Sequence, residues 1–131
     1  YKDGYVDITV DMRVPHEITE QQLTQPIDEC LEKYGLKQTH HLGQALYMDP
    51  ESPLVKTLHS AYVSFTGDYE NQPQTIGGGT YAKSMPNCVA FGSEFPYADN
   101  KIHQNNEEFS IDDLVKATAI YAKALYELIK E

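Results

Sequence analysis

Tyr5-Val6-Asp7-Ile8-Thr9-Val10-Asp11-Met12-Arg13-Val14 sets Val6, Ile8, Val10, Met12 and Val14 on one side and Asp7, Thr9, Asp11 and Arg13 on the other. This strict alternation predicts a half-buried strand with one polar face. Pro15 closes it. Directly after, Ile18-Thr19-Glu20-Gln21-Gln22-Leu23 has the form of a capping box, Thr19 with Gln22, and an Ile18–Leu23 staple. Leu23, Ile27, Cys30, Leu31 and Tyr34 continue at helical spacing, and Gly35 is the expected C-cap. Pro26 inside this run predicts a kink, or a start nearer Thr24.

Beyond that helix, Gly43-Gln-Ala-Leu-Tyr-Met48 predicts a second strand in its latter half, closed by Asp49-Pro50. Ser52-Pro53 supplies an N-cap and a proline at the first helical position, and Leu54, Leu58, Ala61, Tyr62 and Phe65 make an apolar stripe that stops at Gly67. Pro73-Gln-Thr-Ile runs as a short strand into Gly77-Gly78-Gly79, whose glycines permit positive φ and close approach of another group. Pro86-Asn-Cys-Val-Ala-Phe-Gly92 reads as another short strand, and residues 93–106 as a polar loop. Phe109-Ser110-Ile-Asp-Asp113-Leu114 repeats the capping box with a staple, and Leu114, Thr118, Tyr121, Leu125 and Leu128 define a long amphipathic last helix. The order strand, helix, strand, helix, strand, strand, helix predicts an α/β or α+β fold with any boundary near Tyr47 to Pro50.

The 131 residues are 40% apolar, 11% aromatic and 23% charged, with ten Tyr and no Trp, the mixture of a chain with a packed core. Twenty acidic against ten basic residues give a formal charge of −10, which disfavours phosphate backbones and anionic lipid surfaces, so neither nucleic acid nor a membrane is expected as a partner. No apolar run approaches the length of about 20 residues that spans a bilayer, and no basic segment with an apolar sequel opens the chain. Cys30 and Cys88 are far apart and form no Cys-x-x-Cys, so a reducing cytoplasm is expected. The chain begins at Tyr1 and enters its first strand almost at once, which points to a segment cut from something longer.

Arg13 is the single arginine, a planar fork suited to a carboxylate or phosphate, whose ordinary role on a strand is a cross-strand ion pair. Gly77-Gly78-Gly79-Thr80 presents main-chain N–H groups but lacks the lysine ending of a P-loop and the spacing of a dinucleotide fingerprint. His103 stands in a polar loop before a helix, where an imidazole can reach a metal but is normally just solvated, and where Glu107 or Glu108 can sit near the helix N-terminus. Adjacent His40 and His41 point to opposite faces of an extended chain and cannot chelate together. His16 and His59 have no acidic or cysteine partner at ligand spacing, Cys30 reads as core, and Cys88 opens a short buried strand. From residue types alone, no complete metal or acid–base constellation is present.

Thr75-Ile-Gly-Gly-Gly-Thr-Tyr-Ala-Lys-Ser-Met-Pro-Asn-Cys-Val-Ala-Phe-Gly92, with Phe95-Pro96, Ile102-His-Gln-Asn-Asn-Glu107 and Ile111-Asp-Asp-Leu-Val-Lys-Ala-Thr-Ala-Ile-Tyr-Ala, resembles the C-terminal part of the dipeptidase V group in family twenty of the metallopeptidases. Aminoacylases and glutamate-type carboxypeptidases are relatives of that group. The resemblance extends upstream through Leu46-Tyr-Met-Asp49 and Ser52-Pro-Leu-Val-Lys-Thr-Leu58 to Asp11-Met-Arg13. It implies that residues 1–47 are the second half of a ferredoxin-like lid and that residues 48–131 are the C-terminal part of a mixed-sheet catalytic domain. It also implies two divalent ions, zinc with manganese as the alternative, about 3.5–4 Å apart and sharing a bridging water. On this pattern His103 is the last metal ligand, Arg13 grips the substrate's C-terminal carboxylate, and Gly78, Gly79 and Thr80 line that carboxylate pocket. The remaining ligands and the general-base glutamate are expected upstream, so no catalytic base is expected within the chain. Lys83 stands where the pattern has an arginine, and Glu107 is the candidate for orienting the second ring nitrogen of His103. The implied activity is hydrolysis of dipeptides with a free N-terminus and a C-terminal carboxylate, the remainder of the same polypeptide being the required partner and the isolated segment being inactive. Amino-acid deacylation or cleavage of aminoacyl-histidine dipeptides on the same scaffold, or a non-catalytic binding fragment, are the alternatives.

Overall fold

The computed structural model describes residues 4, 6–92, 94–99 and 101–130. Tyr5 at the head of the first predicted strand, and Ser93 and Asn100 in the predicted polar loop, lie outside the described residues. Chain contacts divide the protein into two units, Tyr1–Tyr47 and Met48–Glu131. Among the described residues three α-helices form, α1 over Glu20–Glu32, α2 over Pro53–Thr66 and α3 over Ile111–Ile129, with one 3-10 turn over Tyr81–Ser84.

The expected α/β architecture, half of a ferredoxin-like lid followed by part of a mixed-sheet catalytic domain, is not what the chain builds: among the described residues there is no strand and no sheet. Residues 6–14 run without helix or ladder, and the apolar face predicted to be buried stays in solvent, with Val6 67%, Ile8 82% and Val10 67% exposed. The physical reason is that a strand is completed by inter-strand hydrogen bonds, and alternation selects a face without supplying a neighbour. The same holds for residues 43–48, 73–76 and 86–92, none of which pairs.

In the first unit, α1 starts where its capping box places it. Thr19 Oγ1 accepts from the Gln22 N–H at 3.3 Å while Gln22 Oε1 accepts from the Thr19 N–H at 2.9 Å. Pro26 therefore lies well inside the helix rather than at its start. The chain leaves through Gly35 at φ +67°, with Gly35 N–H donating to Glu32 O and Leu36 N–H to Leu31 O, both at 3.1 Å, the paired bonds of a Schellman ending. Leu23, Ile27 and Leu31 are half-buried, whereas Cys30, expected in the core, is exposed.

In the second unit, α2 begins at Ser52, whose Oγ accepts from the Val55 N–H, takes Pro53 in its first turn and stops at Gly67 (φ +67°), whose N–H donates to Val63 O at 2.8 Å. α2 packs on α3 around Ala61, Phe95, Ala117, Ile120 and Ala124, with Leu58, Tyr62, Phe91, Ala98 and Tyr121 against them. The three alanines let the helix backbones approach, and Phe95 fills the space they leave. The buried face of α3 is Asp113, Ala117, Ile120 and Ala124, roughly one residue round from the predicted stripe. Leu114 and Leu125 remain 55% and 62% exposed. Among the described residues no helix is long and apolar enough to cross a membrane.

Candidate functional site

The loop after Gly92 is tied to α3 by a polar cluster set on a buried ring. Phe95 is buried, and its ring stacks on Tyr97 at 5.5 Å and on Tyr62 at 6.5 Å. Tyr97 Oη donates to Asp113 Oδ1 at 2.6 Å and accepts from Lys116 Nζ at 2.7 Å. The ammonium also lies 5.1 Å from the centre of the Phe95 ring and 5.0 Å from that of Tyr97. Its pKa is raised, chiefly by the hydrogen bond to Tyr97. Asp113 is only 8% exposed, and its carboxylate serves Tyr97, so only half of the predicted second capping box forms: the Asp113 N–H donates to Ser110 Oγ at 3.4 Å. Nothing in the spacing of Tyr97 and Asp113 announces this cluster, because the two are sixteen residues apart.

His103 follows in a turn with three left-handed residues, Lys101 (φ +50°), His103 (φ +60°) and Asn106 (φ +62°). Left-handed backbone is uncommon outside glycine, although His and Asn adopt it more readily than most residues. The turn is held by Gln104 N–H donating to Lys101 O at 2.9 Å, by an ion pair between Lys101 and Glu108 at 3.1 Å, and by His103 N–H donating to Glu107 Oε2 at 3.2 Å. Glu107 thus holds the main chain of His103, not its ring nitrogen as the sequence suggested. The imidazole is exposed and makes no hydrogen bond among the described residues. Three other histidines are engaged: His16 stacks on Tyr47 with ring centres 3.7 Å apart, His40 reaches Glu20 at 2.7 Å, and His59 meets Asn71 O at 3.1 Å. Among the described residues no group of three or more His, Cys, Asp or Glu side chains is placed to hold a metal ion. The exposed His103 imidazole is one nitrogen donor of the kind a divalent ion takes, and the described residues place no group of three such side chains around it.

Gly78, Gly79 and Thr80 form an exposed loop that leads into the 3-10 turn, where Thr80 Oγ1 accepts from the Ala82 N–H at 3.1 Å. Neither Gly78 nor Gly79 uses a positive φ, so the conformational reason for glycine does not apply at these two positions. Their consequence is an uncovered main chain. A Cβ on Gly79 would meet only the Lys83 side chain, at 3.7 Å from Nζ, and a Cβ on Gly78 only Ile76, at 3.6 Å. Lys83 therefore reaches back over the glycine loop, a placement its spacing of four residues permits but does not dictate.

Arg13, in the first unit, directs Nη2 to Asp11 Oδ2 at 3.0 Å, with both side chains largely exposed. The pair runs along one extended segment rather than across two strands, since residues two apart share a face.

Comparison with known proteins assigns the family. The family described as Peptidase family M20/M25/M40 matches residues 4–127, and the chain belongs to it. A protein of Staphylococcus epidermidis named "Putative dipeptidase" is 46% identical over 85 residues, which cover 65% of this chain and 18% of that protein. Others with the same description are 34% identical, one from Staphylococcus haemolyticus over 93% of this chain and 26% of its own length, and one from Bacillus subtilis over 99% and 28%. The chain thus spans roughly a fifth to somewhat over a quarter of the length of these relatives. No solved structure matches it.

Proposed function

We propose that the chain is the C-terminal portion of a metal-dependent dipeptidase, to which the second unit contributes one metal ligand, His103, and a substrate-binding loop, Gly78, Gly79 and Thr80, while the first unit contributes Arg13 as a group for the substrate's C-terminal carboxylate. Family membership over residues 4–127 supports the reaction class. The observation that carries the site is the state of His103, an exposed imidazole with no partner among the described residues, on a turn whose main chain is held in place.

Two divalent ions, zinc with manganese as the alternative, would supply Lewis-acid polarisation of the scissile carbonyl and a water of lowered pKa. The chain's own residues do three things. His103 donates one ring nitrogen as a neutral imidazole, the form an ion requires. Arg13 offers its guanidinium fork to the substrate carboxylate, in competition with Asp11, which now occupies it at 3.0 Å. Gly78 and Gly79 leave the main chain open for a carboxylate to approach within hydrogen-bonding distance, with Thr80 adjoining. The further ligands and the general base belong to the remainder of the same polypeptide, and the 131-residue segment alone is expected to hydrolyse nothing. The acidic balance argues against nucleic acid or an anionic membrane as a partner, and the two free thiols, Cys30 and Cys88, support a cytoplasmic location.

The test is His103→Ala in the full-length enzyme, with bound metal counted by elemental analysis beside dipeptide hydrolysis. One of the two ions should be lost or weakened and kcat should fall sharply. Unchanged metal stoichiometry refutes the assignment.

A further inference from the structure

We propose that Glu107 is a positioning residue that holds His103 in its metal-binding orientation through the main chain, an inference that rests on the reading of His103 as a metal ligand. The direction of a side chain is set by its Cα–Cβ bond, and hence by φ at its own residue. At His103 that φ is +60°, a region which a non-glycine residue leaves readily unless the surroundings hold it. The His103 amide donates to the Glu107 carboxylate at 3.2 Å. Glu107 is otherwise exposed and forms no ion pair among the described residues, so this acceptor function is what the structure gives it to do. The neighbouring Glu108 is occupied by Lys101, which anchors the other end of the turn. The ring of His103 has no partner among the described residues, so the ordering acts on the backbone and leaves both ring nitrogens available. A ligand whose orientation is fixed before the ion arrives binds it more tightly than one that must be ordered on binding.

The requirement is for an acceptor, not for a charge, and this separates the proposal from general electrostatics. Glu107→Gln keeps a carbonyl oxygen at the same reach, and Glu107→Ala removes it. In the 131-residue chain, 15N relaxation of the His103 amide should report a rigid backbone, with an order parameter about 0.85, for wild type and Glu107→Gln, and a value below about 0.6 for Glu107→Ala. In the full-length enzyme, titration with Zn2+ alone should show about a 10–100-fold loss of affinity for Glu107→Ala. Glu107→Gln should recover most of that loss, and the melting temperatures of all three proteins should stay close together. An unchanged order parameter in Glu107→Ala, or equal loss of zinc affinity in the Gln and Ala variants, overturns the proposal. His103→Ala, titrated in parallel, separates the two readings. If it leaves zinc affinity intact, the metal-ligand reading and this one fall together. If it weakens zinc binding and Glu107→Ala does not, only the positioning role of Glu107 falls.

Discussion

Tyr97→Phe removes a single oxygen and tests what holds the loop to α3. That oxygen bonds Asp113 at 2.6 Å and Lys116 at 2.7 Å. Hydrogen bonds to charged groups contribute about 1.5–3 kcal/mol, and the cost of deletion rises where the abandoned partner cannot rehydrate. Asp113, 8% exposed, rehydrates poorly, whereas Tyr97, 64% exposed, lets water approach the gap. These two effects oppose each other and place the expected loss at the low end, about 1.5 kcal/mol. Asp113→Ala removes the same bond and a first-turn acid favoured by the helix dipole, while the Ser110 Oγ cap to the residue-113 N–H survives. The two deletions share one interaction, so a double-mutant cycle in urea, followed by far-UV circular dichroism, should show a coupling of about 1–1.5 kcal/mol. A second readout is Lys116, whose pKa is raised mainly by Tyr97 and should fall toward the ordinary lysine value in Tyr97→Phe. A coupling below about 0.5 kcal/mol, within the scatter of independent sites, would refute the cluster as an energetic unit.

Three further outcomes are expected. Asp68 is held at about 2, against an ordinary 3.8, first by the Tyr62 hydroxyl and then by Asn71. A depressed carboxyl stabilises the fold above its ordinary value and ceases to do so as pH falls through its folded value, so stability should decline from about pH 4 to pH 2 and Asp68→Asn should flatten that decline; a parallel decline in the variant counts against it. Arg13→Lys in the full-length enzyme should lose about 1–3 kcal/mol of transition-state binding on a dipeptide but not on its C-terminal amide, measured as kcat/KM; equal losses on both substrates exclude Arg13 as the carboxylate clamp. Gly79→Ala places a methyl group in ordinary contact with Lys83, so stability should hardly change while dipeptide KM rises; a large fall in melting temperature would mean that the glycine serves the fold instead.

The helix boundaries were legible because they are written in a few adjacent residues. Thr19 and Gln22 cap each other, Ser52-Pro53 opens α2, and Gly35 and Gly67 close their helices with left-handed turns. The strands were misread because their completion depends on residues far away in the chain or outside it. Val6, Ile8 and Val10 alternate as a strand should, yet no hydrogen-bonded neighbour is present among the described residues. α3 shows a subtler version of the same limit. Periodicity weighted its large side chains and chose Leu114, Leu125 and Leu128, whereas packing against α2 chose Ala117, Ile120 and Ala124. Close approach of two helices rewards small residues at the contact, and hydrophobicity alone does not distinguish a face that fits from one that is merely apolar.

The candidate site divides along the same line. Residue type and spacing treat the five histidines almost alike, and only a family resemblance singled out His103. What narrows the choice physically is tertiary: His16, His40 and His59 have each found an aromatic, acidic or carbonyl partner, the rings of His41 and His103 have none among the described residues, and of these two only His103 has its main-chain N–H held by a carboxylate. An imidazole free to bind something else is therefore recognised by what its neighbours are doing. The converse applies to Arg13, where the strand pattern already placed Asp7, Thr9 and Asp11 on its side. Its guanidinium is shared with Asp11, so any carboxylate it grips must displace or join an existing ion pair. Because that pair is exposed, and exposed pairs contribute little, the Asp11 contact itself offers a competing carboxylate little resistance.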